Sequence, residues 1–153
     1  VAQSRGDACL LPYGKVKPTP LPACRPDAAH EDKRAAILLG DSHAAALGGA
    51  LKDLAKQQGI AFYQLEKSSC APLIGVARPI SKFTSHAWKC AAYNEVMVRS
   101  VMDDPAIKTV ILAAFWSAPF FAENDSILIS TDPTIGGTKG EMFRAALIGT
   151  IKR

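Results

Sequence analysis

The chain has 153 residues, 48% of them hydrophobic, and its 18 Lys plus Arg against 14 Asp plus Glu give a formal net charge of +4. That is apolar mass enough for one buried core and too much for a disordered chain. The cations are scattered, with no basic stripe interleaved with aromatics, which argues against a nucleic-acid interface, and no apolar run approaches the ~20 residues of a membrane span.

Residues 1–34 are rich in proline and charge (KVKPTPLPACRPDAAHEDKR) and show neither a helical nor an alternating apolar period, so they read as an extended lead-in rather than a core. The first residues lack the charged and apolar regions of a signal peptide. At residue 35 the texture changes. AAILL (35–39) is a continuous apolar run suited to a strand covered on both faces, and Gly40-Asp41-Ser42 follows at once. HAAALGGALKDLAKQQ (43–58) sets Ala46, Leu47, Ala50, Leu51, Leu54 and Ala55 at helical spacing, with Gly59 as the stop. IAFYQLE (60–66) predicts a second strand, and a polar loop carrying Cys70 and Gly75 leads to a helix over 87–103, closed by Asp104-Pro105. IKTVILAAFWS (107–117) predicts a third strand. A long loop with at most one short strand follows, and a last amphipathic helix begins in TKGEMFRAALIGTIKR. This alternation predicts an α/β domain with a parallel sheet and helices on both faces.

Four cysteines, at 9, 24, 70 and 90, form no C-x-x-C knuckle of a metal or redox site. Their even number and wide spacing suggest two disulfides, most simply Cys9 with Cys24 and Cys70 with Cys90, although four cysteines allow three pairings. Disulfides would place the chain in an oxidising compartment; four buried free thiols are the alternative.

Gly40-Asp41-Ser42-His43 sits where a parallel sheet binds ligands, beyond the carboxyl end of a strand. A serine there has the unpaired, positively polarised amides of a helix's first turn beside it, which suits an oxygen nucleophile whose intermediate develops negative charge. The competing interpretation is a plain N-cap by Asp41 or Ser42, with His43 a passive first-turn residue.

ILLGDSHAAAL, SSCAPLIG, CAAYNEVM and TVILAAFWS, in this order, resemble the SGNH hydrolase superfamily. More narrowly, they resemble the SGNH domains fused behind the membrane acyltransferase family 3 domain of bacterial polysaccharide O-acetyltransferases. The likeness spans residues 35–152 and implies a flavodoxin-like three-layer fold, with residues 1–34 as the disulfide-pinned linker from the membrane domain and 35–153 as the N-terminal two-thirds of the SGNH domain. Ser42 would be the nucleophile, its own amide contributing to the oxyanion hole. Gly75 is a loose match for the second-block glycine, the alternative being a flexible loop glycine. Where many relatives carry an oxyanion-hole asparagine after the third strand, this chain reads Ala-Phe-Trp116-Ser117. Asn94, inside the CAAYN helix, is either a donor or an ordinary polar helix residue, and Trp116 reads as a wall of the cleft.

Serine needs a histidine to take its proton, and a carboxylate to orient that histidine. The family supplies both in an Asp-x-x-His motif near the end of the domain, a part expected to be missing from this chain. Asp27-Ala-Ala-His30 has the spacing but precedes the nucleophile, and reads as coincidence. His43 adjoins Ser42 and is a poor base for it; His86 has no recognisable partner and reads as exposed.

The implied activity is acetyl transfer to sugar hydroxyls of a bacterial surface polysaccharide such as lipopolysaccharide. A serine acyl-enzyme would be loaded by the membrane acyltransferase domain, with no cofactor or metal, in a periplasmic domain tethered to the inner membrane; the 153 residues alone would be inactive. Alternatives are a carbohydrate esterase of the same fold and a non-catalytic carbohydrate-binding domain. A metallophosphoesterase using Asp41-x-His43 would need further ligands downstream, and only His86 follows.

Overall fold

The computed structural model describes residues 8–17, 24, 34–120 and 127–153. The elements run β1 (Leu10–Leu11), β2 (Ala35–Gly40), α1 (Ser42–Gln57), β3 (Ala61–Lys67), β4 (Val76–Ala77), α2 (His86–Met102), β5 (Ile107–Ala113), β6 (Ile129–Ser130) and α3 (Lys139–Ile151). β1, β3, β2 and β5 lie in that order in one parallel sheet, and β4 pairs antiparallel with β6 in a small ribbon.

All six positions of β2 are buried, as befits a central parallel strand. The period of two sorts side chains between the faces. Ile37, Leu39, Tyr63 and Leu65 join Ala87, Cys90, Tyr93 and Met97 of α2 in the main core. Gln64 points the other way, toward α1, where Gly48 makes room: a Cβ at 48 would lie 2.1 Å from the Gln64 amide nitrogen. Helices therefore cover both faces, giving the expected three-layer α/β fold. A second core of Leu73, Val76, Leu128 and Ala146 seats α3, whose start is fixed by a capping box between Thr138 and Glu141. Gly59, with φ of +65°, ends α1 as expected.

The structure departs from the sequence expectations in three places. The third long strand stops at Ala113 rather than 117, because its register partner in β2 is Gly40, the last strand residue before α1 begins, and no ladder remains to extend. Val76–Ala77 forms a short strand inside the loop after β3, paired with β6. The lead-in, read as lying outside the core, also contributes to it: Leu10–Leu11 forms the edge strand beside Glu66 and Lys67, with Cys9 and Leu11 buried. The Cys9–Cys24 and Cys70–Cys90 disulfides are both formed.

The carboxyl end of β3 holds two fully buried ionisable groups, Glu66 and Lys67. Lys67 donates to the carbonyls of Pro12, Tyr13 and Lys15 at 2.9, 3.1 and 2.7 Å, which fastens the lead-in over the sheet edge. Burial, and secondarily Lys89, draws its pKa down to about 8, while the three carbonyl acceptors favour the charged form. On the opposite face Glu66 accepts from Gln64 Nε2 at 2.9 Å through one oxygen, and its other oxygen has no partner among the described residues. Burial lifts its pKa from 4.5 to about 7, against the opposing hydrogen bond from Gln64.

The sign of the consequence follows from proton linkage. The unfolded chain releases the Glu66 proton near 4.5 and the folded protein only near 7, so the folded state loses stability across that interval as pH rises. Glu66→Gln, which keeps an acceptor for Gln64, should leave thermal stability almost unchanged at pH 4 and raise it by up to about 3 kcal/mol at pH 8. Melting curves at the two pH values check this; equal shifts at both would show that burial of the charge is not the cause.

Candidate functional site

β2 delivers the chain to the sheet's carboxyl end in a space only glycine can occupy. A Cβ on Gly40 would lie 1.8 Å from the Ala113 carbonyl oxygen and 2.5 Å from Ala44 Cβ. Asp41 then caps α1. Its Oδ1 accepts from the His43 amide at 2.8 Å, and its Oδ2 accepts from the Phe115 amide at 2.9 Å, so one buried carboxylate joins the helix start to the loop after β5. With Asp41 as the cap, Ser42 is not used for that purpose. Ser42 is exposed, and its hydroxyl makes no hydrogen bond among the described residues. The two readings of the tetrapeptide are thus compatible: the cap is Asp41, and the serine is left over.

Ser42 opens on a shallow cleft of about 60 Å³ whose lining includes Ser69, Arg78, Phe115, Trp116 and Phe143. Trp116 packs edge-on against Phe143, with ring centroids 6.2 Å apart, and so forms one wall. His43 also borders the cleft. Its Nδ1 lies 3.3 Å from Asp41 Oδ1 and its ring stacks on Phe115 at 4.8 Å, which directs the imidazole toward these two residues.

The opposite wall is Ser69, a non-glycine residue with φ of +50°, a conformation that neighbours must enforce. Its hydroxyl bonds to that of Tyr13 at 2.9 Å, and its carbonyl oxygen lies 3.1 Å from His86 Nε2. The Cys70–Cys90 disulfide anchors the next residue. His86, expected to be exposed, is buried, with Tyr13 packed edge-on against it. Because a carbonyl only accepts, the imidazole proton sits on Nε2; Nδ1 is buried without a described partner, and burial is the main cause of a lowered pKa.

Two of the candidate residues lie behind the wall rather than on it. Asn94 is buried in α2 and donates to the carbonyls of Ala71 and Leu73, both at 2.8 Å, so it shapes the 70–74 loop from below. Gly75 is buried at φ +83°, where a Cβ would lie 2.5 Å from Ile135 Cδ1, and its carbonyl accepts from Thr131. It is packed rather than flexible, and it does not line the cleft. Asp27 and His30 lie outside the described residues. Sequence reasoning missed Ser69, Arg78, Phe115 and Phe143; of these only Ser69, in the turn just after the second long strand, carried a positional signal.

A family model described as the SGNH domain fused to AT3 domains matches residues 8–153. The chain belongs to this SGNH domain family. The match includes the lead-in from residue 8, in keeping with the place of β1 in the sheet. This SGNH domain is also similar to the solved periplasmic domain of a lipopolysaccharide acetyltransferase from Salmonella ser. Paratyphi A, with a TM-score of 0.60 and 17% identity, over 97% of this chain and 47% of that one. It thus spans about half the length of that solved domain. Among curated proteins, no sequence matches the chain.

The Asp41 bridge makes a measurable prediction. Asp41→Ala removes a helix cap and leaves the Phe115 amide without its Asp41 acceptor, and should cost about 2 kcal/mol in urea denaturation. Asp41→Asn, which keeps an oxygen acceptor, should cost roughly half as much; equal losses would place the importance of Asp41 in its charge.

Proposed function

We propose that Ser42 of this SGNH domain accepts an acyl group, in the simplest case acetyl, and passes it to a sugar hydroxyl of a bacterial surface polysaccharide. The observation that carries this reading is the division of labour at the start of α1: Asp41 satisfies the cap, so Ser42 is free at the rim of a cleft. By position in the first turn, the Ser42 amide has no intrahelical acceptor, which suits it to receive the charge of a tetrahedral intermediate. Fusion of the family to AT3 domains supports a membrane acyltransferase domain as the acetyl donor. Likeness to the periplasmic domain of a lipopolysaccharide acetyltransferase supports a lipopolysaccharide-type acceptor. Two disulfides fit a periplasmic domain, which would be tethered to the inner membrane through the AT3 domain.

The transfer would run in two half-reactions. Ser42 Oγ attacks the acyl carbonyl while a general base takes its proton, and the donor's leaving group departs with a proton. The sugar hydroxyl then attacks the acyl-enzyme, and Ser42 regains its proton as the ester is released. His43 is turned toward Asp41 and Phe115, so it is not the base we infer for Ser42.

In the full-length parent protein, a fluorophosphonate probe should label Ser42, and Ser42→Ala should abolish both labelling and polysaccharide acetylation. A full-length Ser42→Ala protein that still acetylates its polysaccharide would remove the serine from the mechanism.

A further inference from the structure

Arg78, the residue that follows β4, lines the cleft shared with Ser42 and is half-buried. Its guanidinium makes no ion pair or hydrogen bond with any described residue, although it offers five donors in a planar fork. The neighbouring charges do not answer it. Asp41, the one carboxylate among the described residues of the lining, has both oxygens committed to backbone amides, Lys67 is saturated by three carbonyls, and His86 presents a hydrogen-bonded Nε2 to Ser69. A half-buried guanidinium on a cleft, with no protein partner, keeps its donors available to a ligand.

The surroundings indicate what the ligand carries. Ser69 of the lining is hydrogen-bonded to Tyr13, whose ring stacks on Phe83 at 4.4 Å and 10°, and Phe83 remains 46% exposed. Phe83 belongs to the exposed 81–85 loop, a few residues after Arg78. The lining that holds the unpaired guanidinium also holds Phe115, Trp116 and Phe143, and such a surface suits a sugar ring that bears an acidic group, since the ring's C–H face packs on an aromatic and the acid takes the fork.

We propose that Arg78 sets the acceptor specificity of the cleft by binding a carboxylate or phosphate on the polysaccharide, so that the acceptor is an acidic saccharide. This rests on the acyl-transfer reading of Ser42 and extends it to the second half-reaction. Arg78 would act in acceptor binding, not in acylation of the serine.

The test measures acetyl transfer by the full-length protein in membrane vesicles, with delipidated surface polysaccharide of the producing bacterium as the varied acceptor. Arg78→Gln should raise the acceptor KM at least tenfold with kcat within threefold, and Arg78→Lys should fall between. Reducing the polysaccharide's carboxyl groups, or removing its phosphates, should raise the wild-type KM to the Arg78→Gln value and abolish the difference between the two proteins. Whichever treatment does so identifies the acid. The proposal is overturned if Arg78→Gln keeps the wild-type acceptor KM, if neither treatment removes the difference, or if the loss falls on kcat at saturating acceptor. Ser42 labelling separates the two readings: a labelled serine with an indifferent Arg78 removes only this inference, and an unlabelled serine removes both.

Discussion

The site depends on a single carboxylate shared between two pieces of backbone. Asp41 binds the His43 amide of α1 with one oxygen and the Phe115 amide beyond β5 with the other, and it is 5% exposed while doing so. A cap alone would fix the helix; the second bond also fixes the loop that carries Phe115 and Trp116. Ser42 and one wall of the cleft are therefore positioned by the same group. Gly40 is the steric counterpart, since the Ala113 carbonyl occupies the space where any side chain would begin.

The other wall is built from the second strand outward. Lys67 takes three carbonyls of the lead-in, which brings Tyr13 to Ser69, and His86 from the start of α2 holds the same residue through its carbonyl. Ser69 is thereby kept at a positive φ that an isolated serine would leave. A segment that looks like a linker in sequence thus supports the cleft. Among its described residues, proline and charge conceal three buried positions, Cys9, Leu11 and Cys24, too few to generate a periodic signal.

What was legible in the sequence follows the same division. Continuous apolar runs and helical spacing located β2, β3, α1, α2 and α3 to within a few residues, because burial of whole faces imposes those periods. The position of Ser42 at the rim of a cleft was legible because ligands bind beyond the carboxyl ends of the strands in a parallel sheet. Asn94 and Gly75 left two readings open for a common reason: both have the residue type an oxyanion hole wants, and only tertiary packing decides that Asn94 bonds the Ala71 and Leu73 carbonyls and Gly75 abuts Ile135. Arg78 and Phe143 gave no signal, since nothing local marks a side chain that meets the site from a distant segment. His86 looked exposed because the loop before it is polar, while its own burial comes from Tyr13, seventy-three positions away in the chain.

The polar groups of this fold divide into those that are committed and those that are not, and that division locates the chemistry better than residue type does. Asp41, Lys67 and Asn94 are buried and have their hydrogen bonds taken up by backbone, so they maintain shape and have nothing to offer a ligand. Ser42 and Arg78 stand on the same cleft with no described partner, one an oxygen that can be acylated and the other a fork of donors. Glu66 is a third kind: its second oxygen is enclosed, and the fold accommodates it by holding a proton up to about pH 7. An uncommitted group in a cleft calls for a substrate; the same group sealed in the core only makes stability depend on pH. By that criterion Ser42 and Arg78 are the groups we propose for function, and Glu66 belongs to the energetics of the sheet.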